Sequence, residues 1–187
     1  MVYGIYSEGY RPATQNRNAG QLAANQSGVY EGYVVPAVAV TDTLENIEFG
    51  MKGEFLDRTL RLNASFYMTE ITDLQVSRFD PSNVAFLVFM ENVGDAESNG
   101  IDVDFQWAAG SNLLISGAAS FLDTEITRLN PQLQGVAVPV GSELPLAPRF
   151  SGNIRVRYDY EVPSMAANGY VTAALVHRGE SVAGIVG

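Results

Sequence analysis

The sequence alternates apolar and polar residues with a period of two over much of its length. From Leu60 to Met68 every second residue is apolar, and Arg61, Asn63 and Ser65 fall between them. Side chains of an extended chain point to alternate faces of a sheet, whereas a helix repeats every 3.6 residues. The pattern therefore predicts β-strands, each with one apolar and one polar face. Other segments with this period are 47–55, 101–107 and 149–160.

Placing every such segment predicts an all-β fold, an antiparallel up-and-down meander of about seven long strands. The predicted strands cover residues 2–8, 45–55, 60–77, 87–107, 113–127, 147–162 and 169–179. No segment approaches the roughly 18 consecutive apolar residues that a membrane helix needs. Most of the strands are instead longer than the roughly 9–11 residues with which a tilted strand crosses a bilayer.

The connections between these strands alternate between short and long. The short ones are residues 56–59, 108–112 and 163–169, and the long ones are 9–43, 79–86 and 128–146. Bacterial outer-membrane barrels have this arrangement, with tight turns on one side and long loops on the other. Aromatic residues of the kind found at membrane interfaces lie beside the short connections, namely Phe55, Trp107, Tyr158 and Tyr160. Both features favour part of a transmembrane β-barrel, although a soluble β-sandwich also alternates.

Composition excludes several classes of function. The chain has 11 Lys and Arg against 21 Asp and Glu, so its net charge is -10, which argues against a nucleic-acid partner. It has no cysteine and a single histidine, His177, so we expect no metal site, no triad and no cofactor. The carboxylate pairs Asp102 with Asp104 and Asp123 with Glu125 are interpreted as a hydrated polar face. Nothing in the sequence resembles a P-loop, a dinucleotide fingerprint or a nucleophile elbow.

Four segments, in order along the chain, resemble the C-terminal barrel of TonB-dependent outer-membrane receptors. They are Tyr3–Pro12 (YGIYSEGYRP), Leu44–Arg58 (LENIEFGMKGEFLDR), Glu91–Asp102 (ENVGDAESNGID) and Leu144–Arg149 (LPLAPR). Ile47 stands where the family usually has Tyr, and Asp102 where it usually has Glu. The resemblance covers nearly the whole chain and implies one partial barrel domain over residues 1–187.

The resemblance implies a location in the bacterial outer membrane, in contact with its lipid. It implies active uptake of a scarce nutrient, most often a ferric siderophore, with cobalamin or a glycan as family alternatives. The resemblance thus implies a transport receptor and not an enzyme. In such receptors energy comes from the TonB complex through a plug domain. We expect the signal peptide, the plug and the C-terminal strands to lie outside these 187 residues. Two alternatives stay open: a passive porin-like or adhesin-type barrel, and a soluble β-sandwich binding module.

Ligand contact is expected on the long connections, since loops on a rigid scaffold carry most binding residues. Tyr10, Arg11 and Arg17 lie in the first of them, and Arg78 lies at the start of the second. Arginine forms charge-assisted hydrogen bonds with anionic groups, and tyrosine stacks on aromatic ones. We therefore predict that these four residues contribute to binding an anionic chelate.

Overall fold

The computed structural model describes residues 1–22, 34–80, 87–131 and 139–182, except for the side chains of 78–80, 87–88 and 165. Strands account for most of this part of the chain. In chain order they are β1 (Val2–Arg11), β2 (Thr14–Gln15), β3 (Val38–Ala39), β4 (Asp42–Phe55), β5 (Leu60–Thr72), β6 (Gln75–Asp80), β7 (Leu87–Asn92), β8 (Gly94–Ala108), β9 (Leu113–Leu129), β10 (Phe150–Val162) and β11 (Ala167–Arg178). A 3₁₀ turn at Pro163–Met165 joins the last two.

Seven of these strands form one antiparallel sheet in the order β1-β4-β5-β8-β9-β10-β11. Each long strand pairs with the next long strand along the chain, so the all-β up-and-down meander of seven strands is confirmed. The strands β2 with β3, and β6 with β7, form two small two-stranded sheets in the long connections. Because one large sheet contains all the long strands, the β-sandwich alternative is wrong.

Two of the predicted strands, 60–77 and 87–107, are not continuous, and this corrects the sequence-based map. The first bends at Asp73, where φ is +54°, and the second at Gly94, where φ is +141°. A Cβ at Gly94 would lie 1.8 Å from the carbonyl oxygen of Arg128, so this close approach requires glycine. Apolar residues lie on both sides of each bend, Ile71 and Leu74 at the first and Phe89 and Ile101 at the second, which is why neither bend could be predicted from the sequence.

The two faces of the large sheet differ in chemistry, and we call them the apolar face and the polar face. Cross-strand register aligns the apolar side chains in rows across neighbouring strands. One row is Phe55, Leu60, Trp107, Ile115 and Val156, and another is Phe49, Phe66, Ile101, Phe121 and Phe150. A row of the polar face is Glu54, Arg61, Gln106, Ser116 and Arg155. Large side chains of the apolar face remain solvent-accessible in this chain, which marks an interaction surface.

Aromatic rings cover glycines of the neighbouring strand on the polar face. Tyr3 lies across Gly50 and Tyr67 lies across Gly100, each pair directly opposite in the ladder. A Cβ at Gly100 would lie 2.3 Å from the Tyr67 ring. The missing side chain thus makes room for the ring, which in turn covers exposed backbone.

The buried core of the described chain lies at the long-connection end of the sheet rather than between its faces. One cluster of this core consists of Val93, Ile126 and Leu129, with Leu74, Val76 and Leu144 packed against it. Each fully buried aliphatic side chain contributes about 1.5–3 kcal/mol. These residues come from β6, β9 and the segments before β6, before β8 and before β10, so burial holds the long connections against the sheet.

Candidate functional site

The long connections are joined to one another by two asparagine side chains. Asn16, which follows β2, donates from Nδ2 to the carbonyl of Met90 at 2.7 Å, and the Met90 N–H donates to Asn16 Oδ1 at 2.7 Å. Asn92, at the end of β7, binds Val40 in the same two-way manner, at 2.9 and 2.7 Å. Each amide therefore substitutes for one backbone pair of a β-ladder, and together they fix the β2–β3 hairpin to β7.

Beneath these amides, an ion pair connects β1, β4 and β6. Asp42 is buried and accepts hydrogen bonds from the Arg11 guanidinium, from the Arg11 N–H at 3.1 Å and from the Gln75 N–H at 3.1 Å. Arg11 also donates to the Gln75 carbonyl at 3.0 Å. Burial alone raises the pKa of Asp42, but the bonds from Arg11 and Gln75 outweigh it, so its pKa lies below the ordinary value. Asp42 is therefore ionised at neutral pH.

A second ion pair stabilises the bend between β7 and β8. Arg128 donates to Asp95 at 2.6 and 2.7 Å and to Asp73 at 3.0 Å. The hydrogen bonds from Arg128 lower the pKa of Asp95 and outweigh the opposing effect of its partial burial. Arg128 therefore holds both bends by charge. It bonds directly to Asp73, the residue at the first bend, and to Asp95, which follows Gly94 at the second bend.

Three of the four predicted ligand residues, Tyr10, Arg11 and Arg17, have described side chains, and no hydrogen bond or ion pair joins any two of them. Arg11 extends from the polar side of β1 into the ion pair with Asp42, whereas Tyr10 is 74% exposed and extends from the opposite side. Arg17 is exposed and forms no ion pair with any described residue. The backbone of Arg78 pairs with Phe89 in β6–β7, and its side chain lies outside the described part of the chain. Their role in binding stays a prediction.

A row of five glutamates crosses five neighbouring strands on the side of the sheet that carries the apolar face. Glu8 pairs with Glu45, Glu45 with Glu70, Glu70 with Glu97, and Glu97 with Glu125. All five side chains are exposed. Like charges directly opposite each other destabilise a sheet, so this row opposes strand pairing at neutral pH. The sequence gives no sign of the row, because register cannot be read from five separate strands.

The predicted carboxylate pairs lie on different sides of the sheet. Asp102 and Asp104 belong to the polar face, where Asn63 donates to Asp104 at 2.9 Å, while Asp123 and Glu125 lie on the opposite side. His177 stacks against Phe150, with ring centroids 5.6 Å apart. Among the described residues there is no cluster of His, Cys, Asp or Glu suited to a metal ion. Within the same residues, no helix is long and apolar enough to cross a membrane.

The side chains that hold the loop end together, Asn16, Asp42, Gln75 and Asn92, were not predicted from the sequence. Asn92 lies in one of the four motifs, Glu91–Asp102, but the sequence pattern alone does not tell why this motif contains these residues. The structure supplies that cause, since Asn92 and Gly94 are needed where β7 bends into β8.

Comparison with known proteins gives the family. A family model described as "TonB dependent receptor-like, beta-barrel" matches residues 1–184. No curated protein matches the chain.

Solved structures of similar fold are named as uptake or siderophore receptors and as a transporter. The ferric yersiniabactin uptake receptor FyuA from Yersinia pestis has a TM-score of 0.60 at 18% identity, over 94% of this chain and 22% of that one. The copper transporter OprC has a TM-score of 0.58 at 13% identity, over 84% and 21%. The siderophore receptor PiuA from Acinetobacter baumannii has a TM-score of 0.55 at 16% identity, over 94% and 27%.

At these identities the likeness shows the fold, and the chain spans between 21% and 27% of the length of the three structures. The family match extends over almost every residue and agrees with the seven-stranded meander and its two chemically distinct faces. The chain belongs to the TonB-dependent receptor β-barrel family, whose members lie in the bacterial outer membrane.

Proposed function

We propose that this chain is part of a receptor that takes up a ferric siderophore across the outer membrane with energy from the TonB complex. The observation that carries the proposal is the family match over residues 1–184. Two of the similar structures are named as a ferric yersiniabactin uptake receptor and a siderophore receptor. The protein is then a transporter and not an enzyme, and its partners are outer-membrane lipid, the chelate and TonB, the last contacted through a plug domain of the full-length protein.

The arrangement of the faces supports this role. In an outer-membrane barrel the apolar face contacts lipid and the polar face lines the interior. The described parts of the long connections lie at one end of the sheet, where Asn16, Asn92 and the Arg11–Asp42 ion pair fix them. A rigid loop end is suited to present side chains to a ligand arriving from that side.

Among the four proposed ligand residues, the geometry favours Arg17. Arg11 already forms hydrogen bonds with Asp42 and Gln75, so an anionic ligand has to compete with these groups. Arg17 is exposed and has no such competitor among the described residues. Tyr10 and Arg78 stay proposed contacts at the same end of the sheet.

The test is iron uptake by cells with and without the full-length protein. Cells that depend on it should accumulate ⁵⁵Fe from a cognate siderophore, and a protonophore or loss of TonB should abolish the uptake. Arg17→Gln should raise the apparent KM for the chelate, while Arg58→Gln, an exposed arginine at the short-connection end, should leave it unchanged.

Two outcomes contradict the proposal. Uptake that continues without TonB, together with steady ion conductance in planar bilayers, identifies the passive-barrel alternative. Energy-dependent uptake of copper in place of an iron chelate replaces the substrate but keeps the mechanism.

A further inference from the structure

The polar face carries a cavity near the short-connection end. Its volume is about 470 Å³, and it lies over β8, β9, β10 and β11. Its lining includes Ser116, Arg155, Arg157, Tyr170 and Thr172. In the barrel this surface faces the interior, far from the long connections where ligand capture is proposed.

One of the two arginines in this cavity is already fixed by neighbouring groups. Arg157 donates to both carboxylate oxygens of Asp159, at 2.7 to 3.1 Å. Its guanidinium also lies 4.3 Å from the centre of the Tyr170 ring. Arg157 is therefore neutralised by Asp159 and held in one orientation by a cation–π contact.

The second arginine, Arg155, is exposed and forms no hydrogen bond or ion pair with any described residue. It projects from the same face as Arg157, two residues away, which separates the two Cα atoms by about 7 Å. Directly opposite it in the ladder are Ser116 on β9 and Ala174 on β11. Arg155 is thus an unneutralised cation in a concave surface lined by hydroxyl groups.

The carboxylate that also lines the cavity does not neutralise Arg155. Asp104 accepts a hydrogen bond from Asn63 Nδ2 at 2.9 Å, and Asn63 lies on β5, on the far side of β8 from Arg155. Asp104 is two strands away from Arg155, which corresponds to about 10 Å. The side of the cavity around Arg155 is therefore electropositive, with hydroxyls as additional donors.

We propose that this cavity binds an anionic group of the carboxylate class. Arg155 supplies the charge-assisted hydrogen bonds, and Ser116 and Thr172 supply neutral donors. Two sources have this chemistry: a carboxylate side chain from elsewhere in the full-length protein, or an acidic solute passing through the barrel. The inference goes beyond siderophore capture at the loops, because the site is in the interior and near the opposite end.

The test measures how fast a single cysteine near Arg155 reacts with charged reagents. The chain has no cysteine, so Ala174→Cys introduces a unique thiol within it, about 5 Å from Arg155 across the ladder. Cysteines elsewhere in the full-length protein are removed first, and the protein is studied in outer membranes. Reaction rates are compared for an anionic sulfonate and a cationic trimethylammonium methanethiosulfonate, with and without citrate.

The two sources give different results. If solutes use the site, the anionic reagent reacts faster than the cationic one, and citrate slows the anionic reaction. Arg155→Gln then lowers the ratio of the anionic to the cationic reaction rate by about fivefold and abolishes the effect of citrate. If a carboxylate of the protein already occupies the site, both reagents react slowly, citrate has no effect, and Arg155→Gln accelerates both. Arg155→Lys should keep most of either behaviour.

The control is Arg178→Gln, which removes another polar-face arginine outside this cavity and should change neither rates nor ratio. Rates that are the same with Arg155 and with Gln at that position overturn the proposal. A ratio that falls without citrate protection or acceleration shows only a basic surface and overturns it as well. Iron uptake is measured on the same strains to separate the cavity site from the proposed function. If uptake is intact but neither citrate protection nor acceleration by Arg155→Gln is observed, the cavity site alone is rejected.

Discussion

Replacing Asp42 by Asn should free the β6–β7 hairpin from the sheet without unfolding the barrel. Asp42 is 4% exposed and accepts bonds from Arg11 and from the Gln75 N–H. Hydrogen bonds to a charged group are worth about 1.5–3 kcal/mol. Complete loss of a buried pair costs about 3–5 kcal/mol, but the Arg11 side chain is half exposed and water replaces part of the loss. A local cost of about 2–3 kcal/mol follows.

Hydrogen exchange of the full-length protein in detergent measures this cost directly. A loss of about 2–3 kcal/mol should speed exchange of the Gln75 amide and its neighbours in β6 about 30- to 150-fold. Exchange within β5 and β8 should change little, because the ladder there does not depend on Asp42. Asp102→Asn is the matched control, an exposed carboxylate of the polar face for which no change is expected.

The reasoning is refuted if Asp42→Asn changes exchange in β6 less than threefold. It is refuted equally if exchange rises throughout the large sheet, since Asp42 would then stabilise the barrel rather than the connection. Adding Arg11→Gln to Asp42→Asn should cost less than the sum of the two single changes, as expected for partners in one network.

Three further predictions concern pH, charge and packing. The folded-state pKa of Asp42 is lowered, so the stability that it contributes is fully present above its unfolded value near 3.8 and is lost as pH falls through the folded value. The exchange difference between wild type and Asp42→Asn should therefore shrink as pH falls below 3.8 and vanish below the folded pKa. Glu70→Lys places a cation between Glu45 and Glu97 and should stabilise the protein by about 1 kcal/mol, which is measured as a higher urea midpoint in micelles. The control Glu161→Lys, opposite an asparagine, should leave the midpoint unchanged. An unchanged midpoint for Glu70→Lys would contradict repulsion within the glutamate row. Gly100→Ala brings a Cβ to 2.3 Å from the Tyr67 ring and should lower the free energy of unfolding by about 1–2 kcal/mol. Adding Tyr67→Ser should recover most of this loss. Additive losses in the double-mutant cycle would show that contact with the ring is not the cause.

Much of the fold was predictable because a period of two acts locally. Alternation assigns each residue of a strand such as Leu60–Thr72 to one face, and each short connection places the two strands that it joins side by side. Phe55 and Trp107, beside two of the short connections, lie in one row of the apolar face, and their position at a membrane interface stays a prediction. The tight turn at 56–59 fixes the pairing of Phe55 with Leu60, but the pairing of Leu60 with Trp107 joins strands separated by a long connection and does not follow from a turn.

The parts that were not predicted depend on contacts between distant segments. Asp73 and Gly94 bend the chain between apolar segments, and glycine is needed at position 94 because the carbonyl of Arg128, far along the chain, lies close to it. Arg11 was predicted to bind a ligand from its residue type alone. The structure shows that Asp42, 31 residues away, already binds it.

The motif around Asn92 shows why family likeness was visible while the ligand was not. Asn92 binds Val40, Gly94 allows the close approach of Arg128, and Asp95 pairs with the same arginine. Each of these roles is architectural, because it joins a long connection to the sheet. A barrel with this junction requires these residues whichever ligand it transports. The motif therefore identifies the fold of the barrel and not its ligand. Arg17 and Arg155 form no hydrogen bond or ion pair with the described residues, so they are better candidates for ligand contacts.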